Sequence, residues 1–435
     1  MAVIRPFRAL RPPRHLVERV AAPPYDVVDV DEARALAAGN PDSFLHVSRP
    51  EIDLPPGVDP HSRAVHERGR ATLTELRSRG VLVPDAGRGL LVYRQQMGDA
   101  VQTGVVCCTS VAAYESGAIA THEHTRPDKE LDRARHIDAL DAHDEPVFLM
   151  YREDTAGASD VAALIATMTA GPAEYELTGD DGIRHTLWTV TDPEVVAGLV
   201  AAFGRIPTLY VADGHHRTAA AARVHAHRTD PARSIPDALT PAASGEPAHP
   251  TPTGEPEVPS AGILSVVFPA DQLTILAYNR VVTDLGGHTP ETLLAALGEV
   301  FDVAPVPTAV PDAPHRVGMY LAGRWYLLTA RDGTVDEANP IARLDVSLLQ
   351  DRVLSPLLGI ADPRTDPRIS FVGGIRGADE LARLVDSGRA AVAFTLHPTS
   401  PSEVMDVADR GEVMPPKSTW FEPKLRSGLF LHPLS

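Results

Sequence analysis

Cysteine is almost absent. The chain has two in 435 residues, Cys107 and Cys108, and they are adjacent. Adjacent cysteines build no disulfide framework and lack the spacing of a metal site. The stretch around them, QTGVVCCTSVAAY, reads as a buried strand, and a reducing, cytoplasmic setting fits. Aromatic residues are scarce at 5%, so Leu, Val and Ala must build the core. No apolar run reaches the roughly 18 residues that a membrane span needs. The opening MAVIRPFRALRPPRHL lacks the apolar stretch and cleavage site of a secretory signal. Positive charge is in deficit: 40 Lys+Arg against 58 Asp+Glu leave a net charge of −18. That balance argues against a nucleic-acid partner, whose phosphates want a basic face. It leaves room for a small anionic ligand held by local cations.

What is present is ordinary globular composition, 43% hydrophobic and 23% charged, over a length that suggests two or three domains. Helical and strand patterns alternate, which predicts a mixed α/β (α+β) fold. Residues 61–79 carry part of an apolar stripe and end at Gly80, as a helix does. Leu90 to Gln95, Thr103 to Val111, Pro146 to Tyr151 and His185 to Val190 read as strands. Pro127 opens a helix that runs to Ala142. Residues 229–261 are rich in Pro, Ala, Ser, Gly and Thr. They have too little apolar surface to offset ordering entropy and read as a disordered insertion. The expected organisation is an N-terminal region 1–228, the insertion 229–261 and a C-terminal α/β region 262–435.

The densest chemistry follows the short apolar run Leu209-Tyr210-Val211-Ala212. Asp213-Gly214-His215-His216-Arg217 comes next, and then an alanine-rich run that should be helical. Gly214 permits a tight turn. The first helical N–H groups lack intrahelical partners and suit an anion. Arg217 adds a planar fork for phosphate or carboxylate, and Asp213 offers oxygen to Mg2+ or accepts a proton.

Three further constellations stand out. In His122-Glu123-His124-Thr125-Arg126-Pro127-Asp128-Lys129, the cations Arg126 and Lys129 sit at a helix start, where they oppose the dipole unless an anion joins them. Glu123 reads as a catalytic carboxylate rather than part of a zinc site. In Met414-Pro415-Pro416-Lys417-Ser418-Thr419, a rigid turn presents Lys417 and two hydroxyls to a phosphate, without the glycine-rich loop of a P-loop. Near the start, Pro23-Pro24 presents Tyr25 and Asp26. Arg49, Glu51 and Asp53 alternate there as on a strand edge.

Together, PFRALRP, AAPPYDVV, NPDSFLHVSRPEIDLP, HEHTRPDKELDR, DDGIRHTLW, YVADGHHRTAAA, LAYNRVV and MPPKSTWFEPKL resemble the bacterial and archaeal family called domain of unknown function 1015. The stretch Ala212 to Ala220 is also similar to the signature turn of the ParB-like superfamily, which includes ParB-type CTP hydrolases, sulfiredoxin and free serine kinases. The catalytic cysteine of sulfiredoxin is missing from this turn, and no ParB-type DNA-binding helix pair is evident. The resemblance implies a ParB/serine kinase-like nucleotide-binding core plus a C-terminal block. It implies a Mg2+-dependent phosphotransferase or phosphatase acting on a small hydroxy amino acid such as serine or phosphoserine, with ATP, ADP or CTP as the nucleotide. Asp213, Glu123 and His216 would be catalytic, with Asp213 on Mg2+. His215, Arg217, Arg126, Lys129, Lys417, Ser418, Thr419, Asp26 and Arg49 would bind substrate or phosphate. The alternative is a nucleotide-binding regulatory protein, a ParB-type switch without turnover.

Overall fold

A computed structural model of the protein describes residues 4–230, 232–235 and 258–435. The chain forms two compact units: Met1–Leu273 with Pro423–Ser435, and Thr274–Glu422. Both are mixed α/β.

The first unit is built on a nine-stranded mixed sheet. Its strands run Ile119–Ala120, Leu209–Asp213, Val147–Tyr151, Gly262–Pro269, Ala100–Ser110, Leu90–Met97, Arg184–Val190 and Tyr175–Thr178, and Ile4–Arg5 pairs with Ala100–Ser110 off that path. Most neighbours are antiparallel. Leu209–Asp213 is parallel to Ile119–Ala120, and Gly262–Pro269 is parallel to Val147–Tyr151. The central strands read as near-continuous apolar runs because helices cover them. Val105, Cys107, Val147, Leu149, Val211 and Val267 pack with Leu199 and Phe203 in one core. Both cysteines are buried in the strand expected for them.

A second core in this unit gathers Val20, Phe44, Leu45, Leu73, Leu76, Leu140 and Leu431. Leu431 belongs to the returning C-terminal segment. That segment bridges Leu10 through Leu431 and Ala22 through Ser427, and its strand His432–Pro433 pairs with Ala142–His143. Gly428 makes the return possible: its φ is +80°, and a Cβ there would lie 2.7 Å from Phe44 Cβ.

Two expectations change here. Gly262–Pro269 was expected to open the C-terminal region, but it lies inside the first sheet, hydrogen-bonded on both sides. A strand of eight buried residues needs a partner at each edge, so the unit boundary falls later, after Leu273. Arg49, Glu51 and Asp53 do not alternate on a strand. Pro50 starts a 3-10 turn, Pro50–Asp53, directly after the helix Leu45–Ser48, and a proline in that place cannot donate to a ladder. Most of the expected insertion 229–261 lies outside the described residues. Its far end is inside them: Ser260 is buried and bonds His225 Nδ1 at 3.0 Å.

The second unit holds a six-stranded antiparallel sheet, ordered Phe301–Val306, Arg324–Ala330, Arg316–Leu321, Val392–Leu396, Tyr278–Val282 and Ile369–Gly373. A hairpin turns at Ala322-Gly323, with φ of +48° and +77° at its tip, as a type I′ turn demands. Among the described residues, no helix is long and apolar enough to cross a membrane.

Candidate active site at the Asp213 turn

The strand Leu209–Asp213 ends in an irregularity between Val211 and Asp213, which re-aims the last side chain. Gly214 follows with φ +98° and caps the helix His215–Thr229. The glycine is required twice over: few side chains tolerate that φ, and a Cβ there would stand 3.1 Å from Arg217 Nε. The alanines beyond the turn let the helix Pro127–Leu140 approach closely. Ala220 and Val224 pack against Ala134 and Ile137. This packing brings the segment before Pro127 onto the turn.

Asp213 is a carboxylate set between two cations. Its Oδ2 accepts from Lys424 Nζ at 2.9 Å, and its Oδ1 lies 3.8 Å from Arg217. Burial opposes the charge, but Lys424 and Arg217 outweigh it and hold the carboxyl well below the usual range. Asp213 therefore stays ionised at neutral pH and is a weak base.

Arg217 points inward. One guanidinium nitrogen donates to the Pro146 carbonyl, and another lies 3.5 Å from Asp26. Its Nε is buried without a hydrogen-bond partner among the described residues. The fork expected to bind phosphate is thus largely spent on protein groups.

The two histidines are neutral. His215 is buried, and its ring meets His122 edge-on at 4.5 Å. Its Nε2 accepts from the His122 backbone N–H at 3.5 Å, and its Nδ1 lies 3.8 Å from Glu123. Burial, reinforced by His122, lowers its pKa well below the ordinary value. His216 Nε2 accepts from the Arg126 backbone N–H at 3.0 Å, and burial lowers its pKa too. Both rings accept backbone hydrogen bonds from the segment before Pro127 and so lock it against the turn.

Glu123 is half exposed beside His215, which fits a carboxylate open to substrate. Arg126 reaches the turn through its backbone, while its guanidinium pairs with Asp128 at 2.8 Å. Lys129 is exposed on the first helical turn. Arg133 faces the other way, 4.2 Å over the Tyr25 ring. Arg126 and Arg133 thus meet an acid and an aromatic ring of the protein itself. Arg49 joins at one remove: it donates to the Tyr25 carbonyl at 3.0 Å and pairs with Glu51 at 2.8 Å.

Lys417, Ser418 and Thr419 belong to the second unit. Lys417 has φ +58° and its Nζ lies 5.6 Å from the Tyr278 ring. Ser418 donates to the Pro415 carbonyl at 2.6 Å. Lys424, seven residues on in the same motif, belongs to the first unit and contacts Asp213 at the turn. One signal pointed to it: the chain has only three lysines, Lys129, Lys417 and Lys424, among 40 basic residues.

Glu145 was also missed. It is buried, and its Oε1 accepts from the Tyr25 N–H at 3.0 Å and from Ser427 Oγ at 2.7 Å. Its Oε2 has no partner among the described residues. Burial raises its pKa to about 7. Glu145, Asp144, Tyr25, Arg133 and Arg217 line one small cavity behind the turn. The signal was a pair of acids, Asp144-Glu145, set directly before the wholly apolar strand Val147–Tyr151.

Mg2+ does not fit Asp213 as it stands. Both its oxygens face cations, where a divalent metal wants several oxygen ligands. Among the described residues, no group of three or more His, Cys, Asp or Glu is placed to hold a metal ion.

The profile of the DUF1015 family, described as a protein of unknown function, matches residues 4–347. No curated protein matches the chain. Among solved structures, SbnI with a C-terminal truncation, from Staphylococcus aureus, is 12% identical, with 74% of this chain and 85% of that chain covered and a TM-score of 0.37. A free serine kinase mutant in complex with ADP is 13% identical over 72% of this chain and 89% of that one, TM-score 0.32. A conserved hypothetical protein from Pyrococcus furiosus is 13% identical over 72% and 92%, TM-score 0.32.

Proposed function

Because the chain belongs to the DUF1015 family, whose description assigns no function, we propose its function from the site itself: phosphoryl transfer at the Asp213 turn between a nucleotide and a small hydroxy amino acid such as serine. The observation that carries this reading is the contact of Lys424 with an ionised Asp213 at the mouth of a helix N-terminus. Phosphoryl transfer asks mainly for positioned positive charge and an oriented hydroxyl. Lys424 supplies the charge. The N–H groups opening the helix His215–Thr229 lack intrahelical acceptors and favour phosphate oxygens. Asp213 is too weak a base to hold a proton, and its role is to orient Lys424 and the substrate hydroxyl. Glu123, more exposed, is the candidate to take the hydroxyl proton. The oxygen then bonds to phosphorus as the bond to the nucleotide breaks. Run with phosphoserine and water, the same groups serve hydrolysis.

The test is direct. The protein is incubated with serine and ATP or ADP, or with phosphoserine alone, and products are followed by phosphorus NMR with and without Mg2+. Formation or loss of phosphoserine supports the reading. Nucleotide binding by calorimetry without turnover favours the ParB-type switch instead. Failure to bind any of these ligands rejects both.

A further inference from the structure

In the first unit, a hollow of about 320 Å³ is lined by the helix Ala158–Thr169 and by four neighbouring strands, Leu90–Met97, Ala100–Ser110, Gly262–Pro269 and Val147–Tyr151. Its volume is that of a small-molecule site. It is separate from the Asp213 turn, since no residue from Asp213 to Arg217 lines it. The strand register shows the same: Asp213 lies opposite Phe148 and Tyr210 opposite Met150, so Tyr151 stands at the far end of the ladder from Asp213.

Arg94 supplies the positive part of the lining. Its guanidinium lies 5.1 Å over the Trp188 ring, and its Nε donates to Thr103 Oγ1 at 3.0 Å. Those two contacts fix the plane of the fork. Among the described residues, the two terminal nitrogens meet no acceptor and the side chain has no carboxylate partner.

Tyr151, Glu153 and Asp271 supply the negative part. Tyr151 is 1% exposed, yet among the described residues its hydroxyl has no hydrogen-bond partner. Burial raises its pKa, and the charges of Asp271 and Glu153 add to the rise. Both carboxylates therefore act on the phenol, which keeps its proton at neutral pH. Neither acid has an ion-pair or hydrogen-bond partner among the described residues. Asp271 is tied to the arginine side through its neighbour: Gln272 Oε1 accepts from the backbone N–H of Thr103 at 2.8 Å, and Thr103 is the residue that holds Arg94. Ala158, Ala162, Ile165 and Pro269 add apolar surface.

A lone anion would meet Arg94 but also two acids. A lone cation would meet the acids but also Arg94. A ligand that carries both charges satisfies the whole lining. A guanidinium fork pairs two-to-two with a carboxylate, and an ammonium group has three N–H donors for carboxylate and phenol oxygens. We propose that this hollow is a second ligand site, which takes a small zwitterion, an amino acid, with its carboxylate on Arg94 and its ammonium group on Glu153, Asp271 and the Tyr151 hydroxyl. The site stands independently of phosphoryl transfer at the turn.

Alanine, valine and lysine are titrated into the full-length protein and followed by ligand-observed NMR. None carries a hydroxyl, so none mimics the substrate proposed for the turn. Acetate and methylamine are titrated beside them, as probes with one charge each. At least one amino acid should bind, and each single-charge probe should bind about tenfold more weakly or worse, because it leaves one charged wall unmet. Glu153→Gln/Asp271→Asn removes the acids. Both residues are exposed, so the fold should persist, and an unchanged melting temperature checks this. Amino-acid binding should weaken about tenfold or more in that variant. Arg94→Gln should weaken it likewise; should that variant fail to fold, the acid variant decides. Binding should be retained in Asp213→Asn. The proposal is overturned by no binding of any amino acid, by acetate or methylamine binding as tightly, by unchanged binding in the acid variant, or by loss of binding in folded Asp213→Asn.

Discussion

Lys424 Nζ stands 2.9 Å from Asp213 Oδ2, across a sequence separation of 211 residues. The pair lies within the first unit, although the whole second unit intervenes in sequence. Lys424→Met should raise the Asp213 pKa, because the leading cation that offsets its burial is gone. Turnover should fall by about 100-fold, a size typical of lost electrostatic stabilisation. A pH–rate profile that is unchanged in the variant would show that the lysine only packs.

Asp213→Asn tests the carboxylate itself. Asn keeps the size but leaves Lys424 and Arg217 without their shared anion. The expected outcome is loss of turnover with a cooperative melt retained. Full activity in the variant rejects a role for the charge.

Gly214→Ala strains the turn. A φ of +98° and a Cβ 3.1 Å from Arg217 Nε both oppose the change. Strain of this kind costs roughly 1–3 kcal/mol. Thermal unfolding should show that loss together with weakened nucleotide binding. Gly80, which follows the helix Arg63–Ser78 and has open space around its Cβ position, provides the comparison: Gly80→Ala should cost less.

Glu145 sets a pH dependence. Burial raises its pKa from 4.5 to about 7, so between these values the folded protein holds a proton that the unfolded chain has lost. Its contribution is complete below about pH 4.5 and declines as pH rises through about 7. Glu145→Gln carries no titrating group. Its melting temperature should gain on wild type as pH is raised from 5 to 8. Parallel curves for the two proteins would show that Glu145 titrates normally.

Much of the fold was legible in the sequence because its signals are local. Pro127 at a first turn and Gly80 after a helix each act within a few residues, and each lies where the sequence reading put it. The pairing of Gly262–Pro269 with Val147–Tyr151 was not legible, since periodicity carries no pairing information. The site divides along the same line. Asp213, Gly214 and Arg217 announce themselves as a cluster. Lys424 and Glu145 do not, because each acquires its neighbours through long-range packing, and Ser427 meets Glu145 only after the chain has returned. The histidine pair marks another limit: burial, which no local pattern displays, lowers the pKa of both rings.

The returning segment Pro423–Ser435 has a consequence for synthesis. A ribosome that has made the first 273 residues has made every strand of the nine-stranded sheet, yet the turn still lacks its ammonium group and Glu145 still lacks the Ser427 hydroxyl. Domains generally fold as units while the chain emerges, but this one cannot finish until the second unit has been made and the segment Pro423–Ser435 has cleared the exit tunnel. The Lys424–Asp213 contact is thereby withheld from any nascent chain that has not yet exposed this segment.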